Sequence, residues 1–171
     1  MPPLTLFSLS TSRSIRISWL LEELSLPYKL IRTPRDPNTG LSSAEFKART
    51  KSSTGKAPTL HDGDLIIQES GAITEYLCKK YDGVGRLGLG VGLYGRRSDG
   101  QGEKAGEEEE EKRVTKVREF VHAAEGTMMM HALPFIYARR VNKEAAEELK
   151  PGLQALVRKD LDWLEGELEG V

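Results

Sequence analysis

The run Leu4-Thr5-Leu6-Phe7-Ser8-Leu9-Ser10-Thr11-Ser12-Arg13-Ser14-Ile15-Arg16-Ile17-Ser18-Trp19-Leu20-Leu21-Glu22-Glu23-Leu24 changes its hydrophobic pattern part-way. Leu4 to Leu9 is short and mostly apolar with no helical period, which reads as a buried strand ended by the polar cluster Ser10-Thr11-Ser12. From Ser14 onward, Ile17, Leu20, Leu21 and Leu24 fall at i, i+3, i+4 and i+7, and Glu22 and Glu23 point away, so a helix follows and ends near Pro27.

Working outward, Tyr28-Lys29-Leu30-Ile31 reads as a second short strand. Pro34, Pro37, Asn38 and Gly40 form a loop, and Ser42 is placed to cap a brief helix through Phe46. Ala57-Pro58-Thr59-Leu60 and Leu65-Ile66-Ile67 flank His61-Asp62-Gly63-Asp64, the pattern of two antiparallel strands around an Asp-Gly turn, and Ser70 then caps a helix through Tyr81. Two strands joined by a helix pair in parallel and a hairpin pairs antiparallel, so this α/β segment predicts a mixed four-stranded sheet with helices, resembling the thioredoxin-like arrangement. It occupies residues 1–82.

Beyond it the composition shifts to glycine, with Gly83, Gly85, Gly88, Gly90, Gly92, Gly95, Gly100, Gly102 and Gly106 among small or charged residues. Residues 83–106 are expected to form a flexible linker. Residues 107–171 read as all-α. The acidic run Glu107 to Glu111 starts a solvated helix whose N-terminal dipole favours negative charge, and that helix runs to about Met130 before a break at Leu133-Pro134. A second helix from Asn142 carries Val157, Leu161, Leu164 and Leu168 on one face that needs a partner.

The charge balance, 25 Lys+Arg against 26 Asp+Glu for a net −1, and the lack of a basic stripe interleaved with aromatics argue against nucleic acid as a partner. Cys78 is the only cysteine, which excludes an internal disulfide and a Cys-x-x-Cys pair and suits a reducing compartment. No stretch approaches the roughly 18 apolar residues of a membrane span, and the N-terminus lacks a leader pattern. A soluble, cytoplasmic protein is expected. No metal-ligand spacing is present; Met128, Met129, Met130 and His122 read as a packing face and Cys78 as a small buried residue.

Three segments line up in order: Ser12-Arg13-Ser14-Ile15-Arg16-Ile17-Ser18-Trp19-Leu20-Leu21-Glu22-Glu23-Leu24, then Gly55-Lys56-Ala57-Pro58-Thr59-Leu60, then Gln68-Glu69-Ser70-Gly71-Ala72-Ile73. Together they resemble the glutathione S-transferase superfamily, most closely its fungal and bacterial branch with a serine-type active site. The resemblance implies a transferase that uses glutathione as co-substrate and needs no other cofactor. It would conjugate glutathione to a small electrophile or reduce a peroxide, in detoxification, as a homodimer.

Glutathione is a thiol tripeptide with two carboxylates, so its site needs a thiolate donor, a strand edge and an anion pocket. Ser12, between the first strand and first helix, can donate to the thiolate beside the helix amides; its simpler role is to cap that helix. In the family's pattern the Ala57-Pro58 bond is cis and presents the Ala57 main chain to the cysteinyl part, whereas Pro58 could equally be an ordinary edge-strand proline. Ser70 offers a hydroxyl and amide to the γ-glutamyl carboxylate, compatible with capping, and Glu69 can meet the ammonium group. Lys56 either pairs with the glycyl carboxylate or is simply solvated.

Phe120-Val121-His122-Ala123-Ala124-Glu125-Gly126 and Leu161-Asp162-Trp163-Leu164-Glu165 resemble the first helices of the family's second domain, which is therefore expected to be truncated here. Ser52-Ser53 stand where relatives carry His-Pro or Asn-Pro, a change expected to loosen the glycyl end of the site. The rival readings are a catalytically silent scaffold of the same fold and a thiol-disulfide reductase; the latter would want a cysteine at Ser12.

Overall fold

The computed structural model describes residues 4–82 and 104–169. The chain divides into two compact units, residues 1–114 and 115–171. The first unit is built on β1 (Leu4–Leu9), α1 (Ser14–Glu23), β2 (Tyr28–Thr33), α2 (Ala44–Thr50), β3 (Thr59–Asp62), β4 (Leu65–Gln68) and α3 (Ser70–Tyr81). Its sheet has the order β2-β1-β3-β4, with β1 parallel to β2 and antiparallel to β3, and β3 antiparallel to β4. This is the mixed four-stranded sheet the sequence predicts.

Successive strand residues point to opposite faces, yet Leu6 and Phe7 are both buried because helices cover β1 from two sides. Leu4 and Leu6 join Ile17, Leu21, Leu24, Leu60, Ile73 and Leu77, the cluster that seats α1 and α3. Phe7 and Leu9 join Phe46 of α2, with Ile31 and Ala57 against them. The i, i+4, i+7 run of α1 thus becomes its buried face.

Three local expectations change. Ser43, not Ser42, caps α2, its hydroxyl accepting from the Phe46 amide at 3.1 Å, and the helix continues to Thr50. The hairpin turn is only Gly63-Asp64, since Asp62 pairs directly with Leu65; His61 and Asp62 are strand residues, and Gly63 takes a φ of 62° that suits glycine. Ser70 is the first residue of α3, and the capping position belongs to Glu69, which makes no side-chain cap bond.

Promoted into the strand, the two polar residues become anchors. His61 Nε2 meets the Thr50 carbonyl at 2.8 Å while its ring lies 4.7 Å from that of Phe7. The Asp62 carboxylate accepts from Tyr76 at 2.5 Å, Lys80 at 2.6 Å and Tyr81 at 2.7 Å, fastening the hairpin to α3. Burial pushes this carboxyl up, but the hydrogen bonds from Lys80, Tyr76 and Tyr81 and the Lys80 charge override it and bring it down to about 2.

The helical part comprises α4 (Lys104–Ala123), a π turn (Ala124–Met128), α5 (Met129–Val141) and α6 (Lys143–Leu168). The first of these starts at Lys104, inside the segment expected to be linker; the remainder of that segment, 83–103, lies outside the described residues. The expected break at Pro134 does not occur. Pro134 sits inside α5, where it removes one amide donor from the helix, and the chain turns instead at Asn142, whose φ of −149° leaves the helix. The Asn142 side chain then caps α6 by accepting from the amides of Glu144 at 3.0 Å and Ala145 at 3.2 Å.

In this helical part Phe120 and Trp163 meet at 5.6 Å, Lys116 pairs with Glu167 at 2.7 Å, and His131 with the buried Asp160 at 2.7 Å. Ala146 is fully buried. Met130, Ile136, Tyr137, Val141, Leu149, Leu156, Leu161 and Leu168 are exposed, so the apolar face expected to need a partner is only partly covered within the described residues.

The Asp62 clasp gives a test. Because the folded carboxyl titrates near 2 against about 3.9 when unfolded, its stabilisation is complete above pH 4 and is lost as pH falls toward 2. Asp62→Asn is expected to lose roughly 2 kcal/mol at pH 7 in urea unfolding, hydrogen bonds to a charged group being worth about 1.5–3 kcal/mol. The gap from the unmodified chain should close between pH 4 and 2.

Candidate functional site

Strand register brings the three motif segments together. Phe7 faces Thr59, and Thr59 faces Gln68. The C-terminal end of β1, the N-terminal end of β3 and the C-terminal end of β4 therefore lie at one end of the sheet. Ser12 follows the first, Lys56, Ala57 and Pro58 precede the second, and Glu69 and Ser70 follow the third.

After β1 the chain passes through Thr11 at a φ of 49°, an uncommon conformation for a β-branched residue and one that costs on the order of 1–3 kcal/mol. This turns Ser12 out ahead of α1. Arg13 occupies the capping position and makes no side-chain cap hydrogen bond there. The Ser12 hydroxyl donates to Ser14 Oγ at 2.9 Å and accepts from the Ser14 amide at 3.4 Å. Ser12 is partly exposed and Ser14 buried, so a short hydroxyl pair ends at the open side chain, beside the first-turn amides of a ten-residue helix. Ser12 is thus tied to one helix amide and stays partly exposed.

The Ala57-Pro58 bond is cis. The β1–β3 ladder stops at Thr59, so Ala57 lies beyond it, partly buried against the Phe7, Leu9 and Phe46 cluster, while Lys56 is exposed. Glu69 is exposed at φ 68° and ψ 122°, and Ser70 is buried at the N-terminus of α3. That terminus carries unpaired amides and the positive end of a helix dipole, the natural seat for a carboxylate.

Sequence reasoning missed the brace behind these residues. Ser52, expected to loosen the loop, is buried; its hydroxyl accepts from the Gly55 amide at 3.0 Å and donates to Gln68 Oε1 at 2.8 Å. Thr54 donates to the same oxygen at 2.6 Å. Side chains of the Thr50-Lys51-Ser52-Ser53-Thr54 stretch therefore tie the Gly55-Lys56 loop to β4 in place of a stiff proline, and the hydroxyls alternating at 50, 52 and 54 were the available signal. Gly55, at φ 63°, has Lys47 carbons 3.2 Å from where a Cβ would stand.

Cys78 lies fully buried within α3, and burial, then the Asp82 charge, pushes its thiol up to about 11. It supplies no thiolate at neutral pH. Among the described residues, no group of three or more His, Cys, Asp or Glu is placed to hold a metal ion, and no helix is long and apolar enough to cross a membrane.

A serine-bearing turn, a cis-proline edge and a helix N-terminus thus lie together at one end of a thioredoxin-like sheet. Residues 6–85 match the family described as Glutathione S-transferase, N-terminal domain. The chain is 39% identical over 79 residues to Glutathione S-transferase 3 of Schizosaccharomyces pombe, covering 46% of this chain and 31% of that one. It is 32% identical over 92 residues to the Glutathione S-transferase-like protein tpcF of Aspergillus fumigatus, covering 53% and 39%. A solved glutathione S-transferase from Actinobacillus pleuropneumoniae superposes with a TM-score of 0.63 at 28% identity, covering 98% of this chain and 66% of that one. A glutathione transferase homolog from Sulfitobacter, solved with bound glutathione, gives 0.66 at 20% identity, covering 96% and 70%. Residues 6–85, just under half of the chain, are thus similar to the N-terminal domain of glutathione S-transferases. The chain spans about a third of the length of the curated relatives it matches.

Ser52→Ala removes the acceptor of Gly55 and one donor to Gln68. It is expected to lower the unfolding free energy by about 1–3 kcal/mol, the range for a buried polar group left unpaired, as read by urea denaturation.

Proposed function

We propose that this chain binds reduced glutathione at the motif-bearing end of the sheet and conjugates it to small electrophiles. The observation that carries the reading is the meeting, at one sheet end, of an accessible Ser12 hydroxyl, the Ala57 edge beyond the ladder and the Ser70 helix terminus. Each suits one part of a tripeptide thiol. Ser12 donates to the sulfur by turning its hydroxyl from Ser14 Oγ to the ligand, while its oxygen keeps accepting from the Ser14 amide. The Ala57 main chain pairs with the cysteinyl peptide. The Ser70 hydroxyl and amide hold the γ-glutamyl carboxylate with Glu69 on its ammonium group, and Lys56 reaches the glycyl carboxylate.

Stabilising the anion lowers the thiol below the roughly 8.5 of a free cysteine, so more thiolate is present at neutral pH. The sulfur lone pair then forms a bond to an electrophilic carbon, and the displaced electron pair leaves with the departing group or enters the acceptor. The same thiolate can instead attack a peroxide oxygen, breaking the O–O bond so that the alkoxide leaves and takes up a proton, and a second glutathione then displaces water from the resulting sulfenic acid to give the disulfide. No further cofactor is needed. A reducing cytoplasm supplies such a ligand, and a homodimer of N-terminal domains is the assembly this reading carries.

The test is initial-rate conjugation of glutathione to a generic aromatic electrophile, with Ser12→Ala alongside and circular dichroism on both. Loss of one hydrogen bond to a charged sulfur, worth about 1.5–3 kcal/mol, is expected to lower kcat/KM roughly ten- to a hundredfold and to move the rise of rate with pH to higher pH. An unchanged rate in folded Ser12→Ala would reduce Ser12 to a helix cap. A folded chain that binds glutathione and catalyses nothing would make it a scaffold.

A further inference from the structure

Arg35, in the loop between β2 and α2, has no part in the contacts proposed above, yet it reaches the turn that presents Ser12. Its Nε donates to the Ser10 carbonyl at 2.8 Å and its guanidinium also donates to the Gly40 carbonyl at 3.1 Å. The platform it reaches from is closed on itself. Asp36 Oδ1 accepts from the amides of Asn38 at 3.0 Å and Thr39 at 2.7 Å and from the Thr39 hydroxyl at 2.9 Å. The Gly40 amide donates to the Asp36 carbonyl at 2.8 Å, and the Asp36 amide to Leu41 at 2.9 Å.

On the other side, the Ser10 amide donates to the Thr33 carbonyl at 3.1 Å. Both polar groups of the Ser10 main chain are therefore held, one by β2 and one by Arg35, immediately ahead of Thr11 in its left-handed conformation. A backbone conformation of that kind persists only where its surroundings over-determine it. Lysine could not reproduce the bond pattern, because a single ammonium on a flexible stem lacks the planar fork that spans two carbonyls.

We propose that Arg35 is a positioning residue: by clamping Ser10 to the β2–α2 loop it fixes the turn that aims the Ser12 hydroxyl. The aiming of Ser12 at a thiolate rests on the glutathione reading above, whereas the clamp itself does not.

Two measurements on the full chain and on Arg35→Met and Arg35→Lys test this. Without ligand, the amides of Ser12, Arg13 and Ser14 are expected to exchange with deuterium roughly tenfold faster in both variants, the effect of one lost hydrogen bond. With glutathione bound, the ultraviolet absorbance of the thiolate at neutral pH is expected to fall several-fold in both variants. Binding of S-methylglutathione, which has no thiol to aim at, should remain as in the unmodified chain. Wild-type exchange in either folded variant, or full rescue by lysine, overturns the clamp. Faster exchange with an undiminished thiolate signal overturns the aiming role alone. If the unmodified chain binds neither ligand, the glutathione reading falls, and the exchange rates decide the clamp by themselves.

Discussion

The N-terminal unit depends on one strand being buried on both faces. Leu6 and Phe7 are neighbours in sequence and lie in different clusters, one under α1 and α3 and the other under α2. A strand in that position leaves little of either face to water, with only Thr5 and Ser8 partly exposed, so most of what is polar lies beyond its end. The cluster of Ser10, Thr11 and Ser12 directly after Leu9 is the outcome. The same strand fixes the register of β2 on one side and β3 on the other, and through β3 that of β4. Its C-terminal end is thus the point toward which the chemistry-bearing segments converge.

Around that end, rigidity is supplied by small polar side chains. Ser52, Thr54 and Gln68 bind the Gly55 loop to β4, and Asp36 closes the loop from which Arg35 reaches. None of these belongs to a hydrophobic cluster. They act where the backbone leaves regular structure, at positive-φ residues such as Thr11, Gly55 and Glu69, where a network of short hydrogen bonds replaces the ladder. This division of labour, with apolar residues setting the sheet and hydroxyls setting the loops, suits a site that must hold several ligand groups at fixed spacing.

Much of this was legible in the sequence, and the misses have physical causes. The switch of hydrophobic period between Leu9 and Ile17 places β1 and α1 correctly because burial on β1 and on one face of α1 leaves no other pattern. The three motif segments are legible through the family resemblance, and that they meet at one sheet end is given only by the strand register. His61 and Asp62 were assigned to the turn because polar residues beside Gly63 look like turn residues; their partners, Thr50 and the α3 tyrosines, are remote in sequence and invisible to local patterning. Pro134 was read as a break, yet a helix can forfeit one amide bond, and Asn142 stops the chain by backbone conformation and side-chain capping together. Ser52 was read as a loss of stiffness because hydrogen bonds to residue 68 cannot be seen from residue 52.

The burial of Cys78 bears on how such a domain coexists with cellular disulfides. Thiol-disulfide exchange requires an attacking thiolate with access to a disulfide sulfur. The one sulfhydryl in the sequence lies on the buried side of α3 and is kept protonated at neutral pH. Oxidised glutathione therefore finds no nucleophile with which to form a mixed disulfide. A hydroxyl at residue 12, unlike a cysteine there, cannot be captured either. The folded domain is in this sense redox-silent: a swing in the ratio of oxidised to reduced glutathione would leave its covalent structure unchanged.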